Sequence, residues 1–252
     1  MFSLFNMLYF GVIIFIFLII LIIMMINIIN KINDEKKWEK KKILIITRDD
    51  RNYSFITEHD KNLIKYSSLH DYKYIRLNTL CTNLPVYWCK IKDVKNYLLN
   101  YDCDYVIWLD SDTYINKLNK QMESILLNDI VIGRDYHGNR SYNAGFFAIK
   151  NSEIGISFLN DCLYNYEKNK LDCIDSNGKL KGKWAGMCYE QGVMNMLLKT
   201  RYNKHVFVLT DIINSYNCNT QFFITHIFRS NPEKRLSCMK SSIAYKEVNN
   251  EN

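Results

Sequence analysis

Two aspartates one residue apart, Asp110-Ser111-Asp112, follow directly on the apolar run Tyr105-Val106-Ile107-Trp108-Leu109. Carboxylate oxygens are hard ligands, and a pair of them suits Mg²⁺ or Mn²⁺ better than a softer metal. An ion of that kind neutralises the charge that develops on a departing diphosphate, which is the chemistry the triplet points to. Side chains at i and i+2 of an extended segment point the same way, so the spacing predicts that both carboxylates face one ligand. The triplet alone recurs by chance; its place at the end of a hydrophobic strand gives it weight. Two other readings use the same residues. A haloacid-dehalogenase-like phosphatase would carry Thr or Val where Tyr114 stands and would have the motif on its first strand. Two solvated carboxylates capping a strand would do no chemistry at all.

The elements that must position these residues are legible in the hydrophobic pattern. Ile43-Leu44-Ile45-Ile46 reads as a buried strand, closed by the polar, turn-like stretch from Thr47 to Asn52. A helix is predicted around His59 to Leu69, a second strand over Tyr72 to Leu77, a helix over Ile91 to Leu99, and a central strand over Tyr105 to Leu109. Strand alternating with helix in this way is the signature of a parallel α/β sheet, and such sheets bind ligands at the carboxyl ends of their strands. Further strands are expected at Ile130 to Ile132, Phe146 to Ile149 and Val206 to Leu209, with helices at Phe158 to Tyr166 and Gln191 to Leu198. Lys179 to Gly186 reads as a loop, and the polar end from Lys246 to Asn252 as a frayed tail.

Of the 252 residues, 48% are hydrophobic and 14% aromatic, which excludes wholesale disorder. Leu8 through Ile26 is an unbroken apolar run of about 19 residues, enough to cross a hydrocarbon core of ~30 Å. Its start is uncharged and no small-residue cleavage pattern closes it, so it reads as an uncleaved transmembrane helix and not a signal peptide. The expected organisation is an anchor over residues 1–30, a basic juxtamembrane linker over 31–41, one α/β domain over 42–240 and a polar tail over 241–252. The formal net charge of +7 is partly local, with Lys31, Lys36, Lys37, Lys40, Lys41 and Lys42 just after the apolar run. No nucleic-acid motif accompanies them, so membrane and not nucleic acid is the expected partner of that end. By the positive-inside rule these lysines would put the domain in the cytosol. Two sequons, at Asn52 and Asn139, would be usable only in a lumen. The eight cysteines form no CxxC pair and no zinc spacing, and their number permits disulfides without requiring them.

Several blocks occur in one order. They are Pro85-Val86-Tyr87-Trp88-Cys89-Lys90-Ile91, the strand ending in Asp110-Ser111-Asp112, Asn143-Ala144-Gly145-Phe146-Phe147-Ala148-Ile149-Lys150-Asn151-Ser152, Glu190-Gln191, and His226. Together, over about Lys42 to Arg235, they resemble the galactosyl/xylosyltransferases of glycosyltransferase family 34. The resemblance implies a GT-A-like (Rossmann-like) α/β fold, with a mixed, mostly parallel sheet flanked by helices. It also implies a metal-dependent sugar transfer from a nucleotide-sugar donor, UDP-sugar by expectation, to a glycan or glycoconjugate acceptor, with Mn²⁺ or Mg²⁺ as cofactor. It favours a Golgi/ER-type lumenal domain, opposite to the charge rule. A non-catalytic, membrane-tethered sugar-binding protein of the same fold is the competing expectation.

The resemblance also implies roles residue by residue. Asp110 and Asp112 match the family's metal-binding pair, with Asp112 the direct ligand, Asp110 shared between metal and donor ribose, and Ser111 beside the donor. His226 looks like the late histidine that completes the metal site, and Lys90 like the lysine that approaches the donor. Asn143-Ala144-Gly145 resembles the segment beside the transferred sugar, where Gly145 permits close backbone approach and Asn143 both donates and accepts hydrogen bonds. Glu190-Gln191 resembles the acidic-Gln pair near the anomeric carbon, where family members usually carry Asp. Asp135 is a candidate contact to a sugar hydroxyl. The family retains anomeric configuration. The chain has little sequence between its strands for acceptor-binding loops, so donor and acceptor identities are not carried over.

Overall fold

In the computed structural model, which describes residues 14–25, 38–82, 84–135, 141–214, 218 and 220–249, the first apolar run forms β1 (Ile43–Arg48). Its neighbours are β2 (Lys73–Leu77) and β3 (Tyr105–Leu109), both parallel to it. The sheet continues through β6 (Tyr142–Lys150), β5 (Ile130–Arg134) and β7 (Val206–Leu209), in the order β2-β1-β3-β6-β5-β7. Only β6 runs against its neighbours, so the sheet is mixed and mostly parallel, as expected. β1 and β3 are buried along their length because helices cover both faces, which is why they read as continuous apolar runs and not as alternation.

Alternation along these strands sorts the core into two layers. Ile43, Ile45, Ile107 and Leu109 face α1 (Ser54–His70) and the C-terminal helices α5 (Pro232–Lys240) and α6 (Ile243–Asn249). Leu44, Ile46, Val106 and Trp108 face α2 (Val86–Asn100), α3 (Glu153–Cys173) and α4 (Glu190–Lys199). Local signals set the helix ends. Ser152 caps α3 by accepting from Gly155 N at 3.2 Å. Asn231 caps α5, with Pro232 behind it in the first turn. α1 ends at Asp71, whose φ of 59° is left-handed and whose N–H donates to Ser67 O.

Three elements escaped the sequence reading: β4 (Thr113–Ile115), β8 (Ile212–Asn214) and β9 (Ile224–His226), which form a separate small sheet in the order β4-β9-β8. Each is three residues long, too short to show a period. The expected frayed tail is also corrected. Its beginning belongs to α6, where Ala244 and Tyr245 are buried and Asn249 contacts Glu58 of α1. Those apolar residues supply the docking face that the polar composition concealed.

From Lys40 to Asn252 the chain is one unit; Met1 to Glu39 is another. Residues 14–25 are helical with exposed apolar side chains, and among the described residues no helix is long and apolar enough to cross a membrane. Much of the predicted anchor, most of the basic linker and the Asn139 sequon lie outside the described residues. Six cysteines pair as Cys81–Cys89, Cys173–Cys188 and Cys218–Cys238, leaving Cys103 and Cys162 free and buried.

Candidate active site

The triplet Asp110-Ser111-Asp112 is a turn between β3 and β4, not an extended segment. Thr113 N donates to Asp110 O at 2.9 Å, and the Thr113 hydroxyl repeats the bond at 2.8 Å. This corrects the expected reason for convergence: the carboxylates meet because the chain turns, not because of strand periodicity. α1 holds the outgoing strand. Buried His59 binds Thr113 O through Nδ1 at 2.8 Å, and the Asn62 carboxamide pairs with both the N–H and the carbonyl of Ile115.

β4 then pairs antiparallel with β9 so that Thr113 lies opposite His226. This register brings a histidine more than a hundred positions away against Asp112, with Nε2 3.0 Å from Asp112 Oδ1 and 3.9 Å from Asp110 Oδ2. On the other side, Asp110 N donates to Gly145 O of β6 at 2.9 Å. Gly145 matters here for what it lacks. A Cβ at this position would stand 2.3 Å from His226 Cε1, so the imidazole occupies the space a side chain would need. The close approach expected of Gly145 is therefore to the histidine ring.

Ligand atoms of Asp110, Asp112 and His226 lie within 4.8 Å of one another. Two hard carboxylates and an imidazole at that spacing fit a divalent cation such as Mn²⁺ or Mg²⁺. Arg235 Nη2 contacts the second oxygen of Asp112 at 2.9 Å. Burial works against charge on Asp112, but His226 and then Arg235 outweigh it and bring the carboxyl down to about 2. Burial likewise works against a charged His226, and Asp112 reverses this to raise it above the usual imidazole value.

Lys90, on the first turns of α2, ties this centre to the second acidic position. Its ammonium is 2.9 Å from Asp110 Oδ1, 3.3 Å from Glu190 Oε1 and 3.3 Å from Ala144 O. Burial disfavours the charge, yet Asp110 and Glu190 together raise Lys90 above the ordinary lysine value. Glu190 opens α4 and is 3% exposed; burial pushes its carboxyl up against the pull of Lys90. Its Oε2 has no hydrogen-bond partner. Gln191 is oriented by Ala144 N, which donates to its Oε1 at 3.2 Å, and Asn143 Oδ1 accepts from Gly145 N at 2.8 Å.

These groups line one cavity of about 720 Å³ at the carboxyl ends of β1 and β3. Lys90, Asp110, Ser111, Asp112, Asn143, Gly145, Glu190, Gln191 and His226 all border it. Ala144 does not; its backbone braces Lys90 and Gln191 instead. Asp135 is also absent from that lining; it directly follows β5, where its N–H donates to Ser141 O. Sequence reasoning missed several lining residues. Asp49 accepts from the Ser111 hydroxyl and pairs with Arg51, Arg48 pairs with Asp93, and Trp108 Nε1 donates to Asp110 Oδ1 at 2.6 Å. The only available signal was that Arg48 to Arg51 follow a buried strand, where parallel sheets bind ligands.

Residues 39–135 match the sequence model of the galactosyl transferase GMA12/MNN10 family. An uncharacterized alpha-1,2-galactosyltransferase of Schizosaccharomyces pombe is 28% identical over 149 residues, covering 41% of this chain and 39% of that protein. Both findings support membership of glycosyltransferase family 34. Among solved structures, a glycosyltransferase involved in glycosylation of the major capsid of PBCV-1 aligns with TM-score 0.58 at 14% identity, over 79% of this chain and 98% of that one. The glycosyltransferase GlyE of Streptococcus pneumoniae TIGR4 aligns with TM-score 0.51 at 12% identity, over 84% of this chain and 63% of that one. These likenesses fit a GT-A-like α/β fold.

Proposed function

We propose, taking the chain as a member of the galactosyl transferase GMA12/MNN10 family, that this glycosyltransferase moves a hexose or pentose from a UDP-sugar to a glycan or glycoconjugate, with retention. The observation that carries this reading is the convergence of Asp110, Asp112 and His226 in a cavity that also holds Lys90, Glu190 and Gln191. A divalent cation held by the first three would neutralise the charge of a leaving diphosphate.

The chain's own residues divide the remaining work. Lys90 is fixed between two carboxylates, so it holds Asp110 and Glu190 in place and adds positive potential toward the donor. In this reading Glu190 and Gln191 face the anomeric carbon, where positive charge develops, and a buried carboxylate with one unpartnered oxygen is suited to stabilise it. In the same-face route to retention, the acceptor hydroxyl oxygen bonds to C1 as the bond from C1 to the phosphate oxygen breaks. The hydroxyl proton passes to the departing diphosphate oxygen. The products are the extended glycan and the nucleoside diphosphate, and no enzyme base is consumed.

A lumenal domain on an N-terminal anchor is part of this proposal. Three disulfides support it, since such bonds persist in oxidising compartments. The test is to incubate the protein with UDP-hexoses and UDP-pentoses in Mn²⁺ and follow UDP release. Release is expected from wild type with one of these donors and is expected to be abolished by Asp112→Ala. Undiminished turnover in that variant would sink the assignment.

A further inference from the structure

The cavity lining mixes charged and aromatic side chains. Toward β1 it is walled by Arg48, Asp49, Arg51 and Arg235, a charged surface suited to phosphate and a nucleoside. Around Glu190, where α2 and α4 begin, its lining includes Val86, Tyr87 and Trp184. Val86 and Trp184 are 64% and 48% exposed, so large apolar groups meet water on the rim of a polar cleft. Contiguous exposed apolar surface of that kind marks a binding surface.

The aromatic rings there support one another. Tyr87 meets Trp184 edge-on, with centroids 4.9 Å apart and planes at 77°. Tyr189 closes the group, 5.3 Å from Tyr87 and 5.1 Å from Trp184. Edge-on contact holds the rings while leaving ring face uncovered, in keeping with the exposure of Trp184. The loop that carries Trp184 is tied down at its end. Cys173–Cys188 links it to α3, and Trp88 Nε1 donates to Cys188 O at 3.0 Å. Gly186 O lies where a Cβ on Gly192 of α4 would be, 2.1 Å away, so loop and helix are in direct backbone contact. Cys81–Cys89 likewise ties the strand of chain beside Leu80 to α2.

The rings are also tied to the reacting end of the cleft. Tyr87 lies one helical turn before Lys90, and Tyr189 immediately precedes Glu190. Whatever rests on the rings is thereby held next to the Glu190 carboxylate. We infer that Tyr87 and Trp184, braced by Tyr189, form the acceptor subsite, a stacking platform for a neutral pyranose. This rests on the glycosyl-transfer reading. A pyranose turns axial C–H bonds toward one side, and these weakly positive hydrogens pack against the negative face of an aromatic ring. A diphosphate finds its partners among the charged side chains of the lining, Arg48, Arg51 and Arg235.

The experiment is saturation-transfer NMR on the full-length protein in detergent with UDP and Mg²⁺, using cellobiose, lactose and α-mannobiose as probes. At least one probe is expected to bind wild type. Trp184→Ala and Tyr87→Ala are each expected to weaken it about tenfold, the size of one lost ring contact. Trp184→Phe should retain most of the affinity, and UDP affinity should move less than twofold in Trp184→Ala. Absence of binding by all three probes, or binding unchanged in both alanine variants, overturns the inference. So does a loss confined to UDP, which would make the rings a nucleotide site. Failure of wild type to bind UDP with Mg²⁺ would count against the glycosyl-transfer reading itself and is read separately from the disaccharide signal.

Discussion

Buried Lys90 and half-buried Arg235 are both cations against the aspartate turn, yet they act on different halves of it. Arg235 fixes one oxygen of Asp112 from α5, while Lys90 bridges Asp110 and Glu190 from α2. Removing Lys90 leaves buried Glu190 without its cation and Asp110 with Trp108 and His226 alone, and breaking a buried pair in this way costs about 3–5 kcal/mol. Lys90→Met is therefore expected to lower unfolding stability by about that amount, measured by urea titration. Adding Glu190→Gln to it should restore much of the stability without restoring UDP release. If Lys90→Met unfolds like wild type, the lysine is not the brace described here. At this scale the sequence carried most of the centre, because a doublet of aspartates after an apolar strand is visible without coordinates. Arg235 was not legible, since one arginine among many polar residues of a C-terminal helix has no local signature.

The elements that hold the centre were less evenly legible. Long strands and helices show their period, so β1, β3, α1 and α4 were found, with ends displaced by a few residues. α2 begins earlier than the Ile91 to Leu99 pattern implied because Pro85 opens it and the first turn carries Tyr87 and Trp88. β4 and β9, which deliver His226 to Asp112, are three residues each and leave no period to read. Elements distant from the centre offer a control. Ser152 caps α3 and also donates to Asp129 Oδ1 at 2.9 Å. Ser152→Ala is expected to cost about 1 kcal/mol of stability while leaving UDP affinity unchanged. A loss of affinity comparable to the loss of stability would show that α3 is coupled to the site after all.

For the whole molecule, the two-layer core buries tyrosine hydroxyls on the α1 side. Burial raises Tyr66, Tyr72 and Tyr74 well above the ordinary phenol value, aided by Glu123 at Tyr72 and Asp60 at Tyr74; burial also raises Tyr105, to about 12. A folded-state value above the unfolded one gives stability that is complete below the unfolded pKa of about 10 and is lost as pH rises beyond it. Tyrosinate absorbance should thus rise for these residues only together with unfolding, as followed by circular dichroism. Their reversible ionisation near pH 10 in a folded protein would contradict the packing. The aromatic composition pointed to a folded globule, but which rings were buried depended on tertiary contacts that no local pattern encodes. The account as a whole stands on one convergence, of two adjacent carboxylates and a distant imidazole about one cation. Its most direct test is a Mn²⁺ titration of wild type and His226→Ala in the presence of UDP, read by the electron paramagnetic resonance signal of free Mn²⁺. Wild type is expected to bind one ion tightly, with the variant weakened at least about tenfold, the loss of one ligand bond. Equal Mn²⁺ affinity in the two proteins would contradict the site.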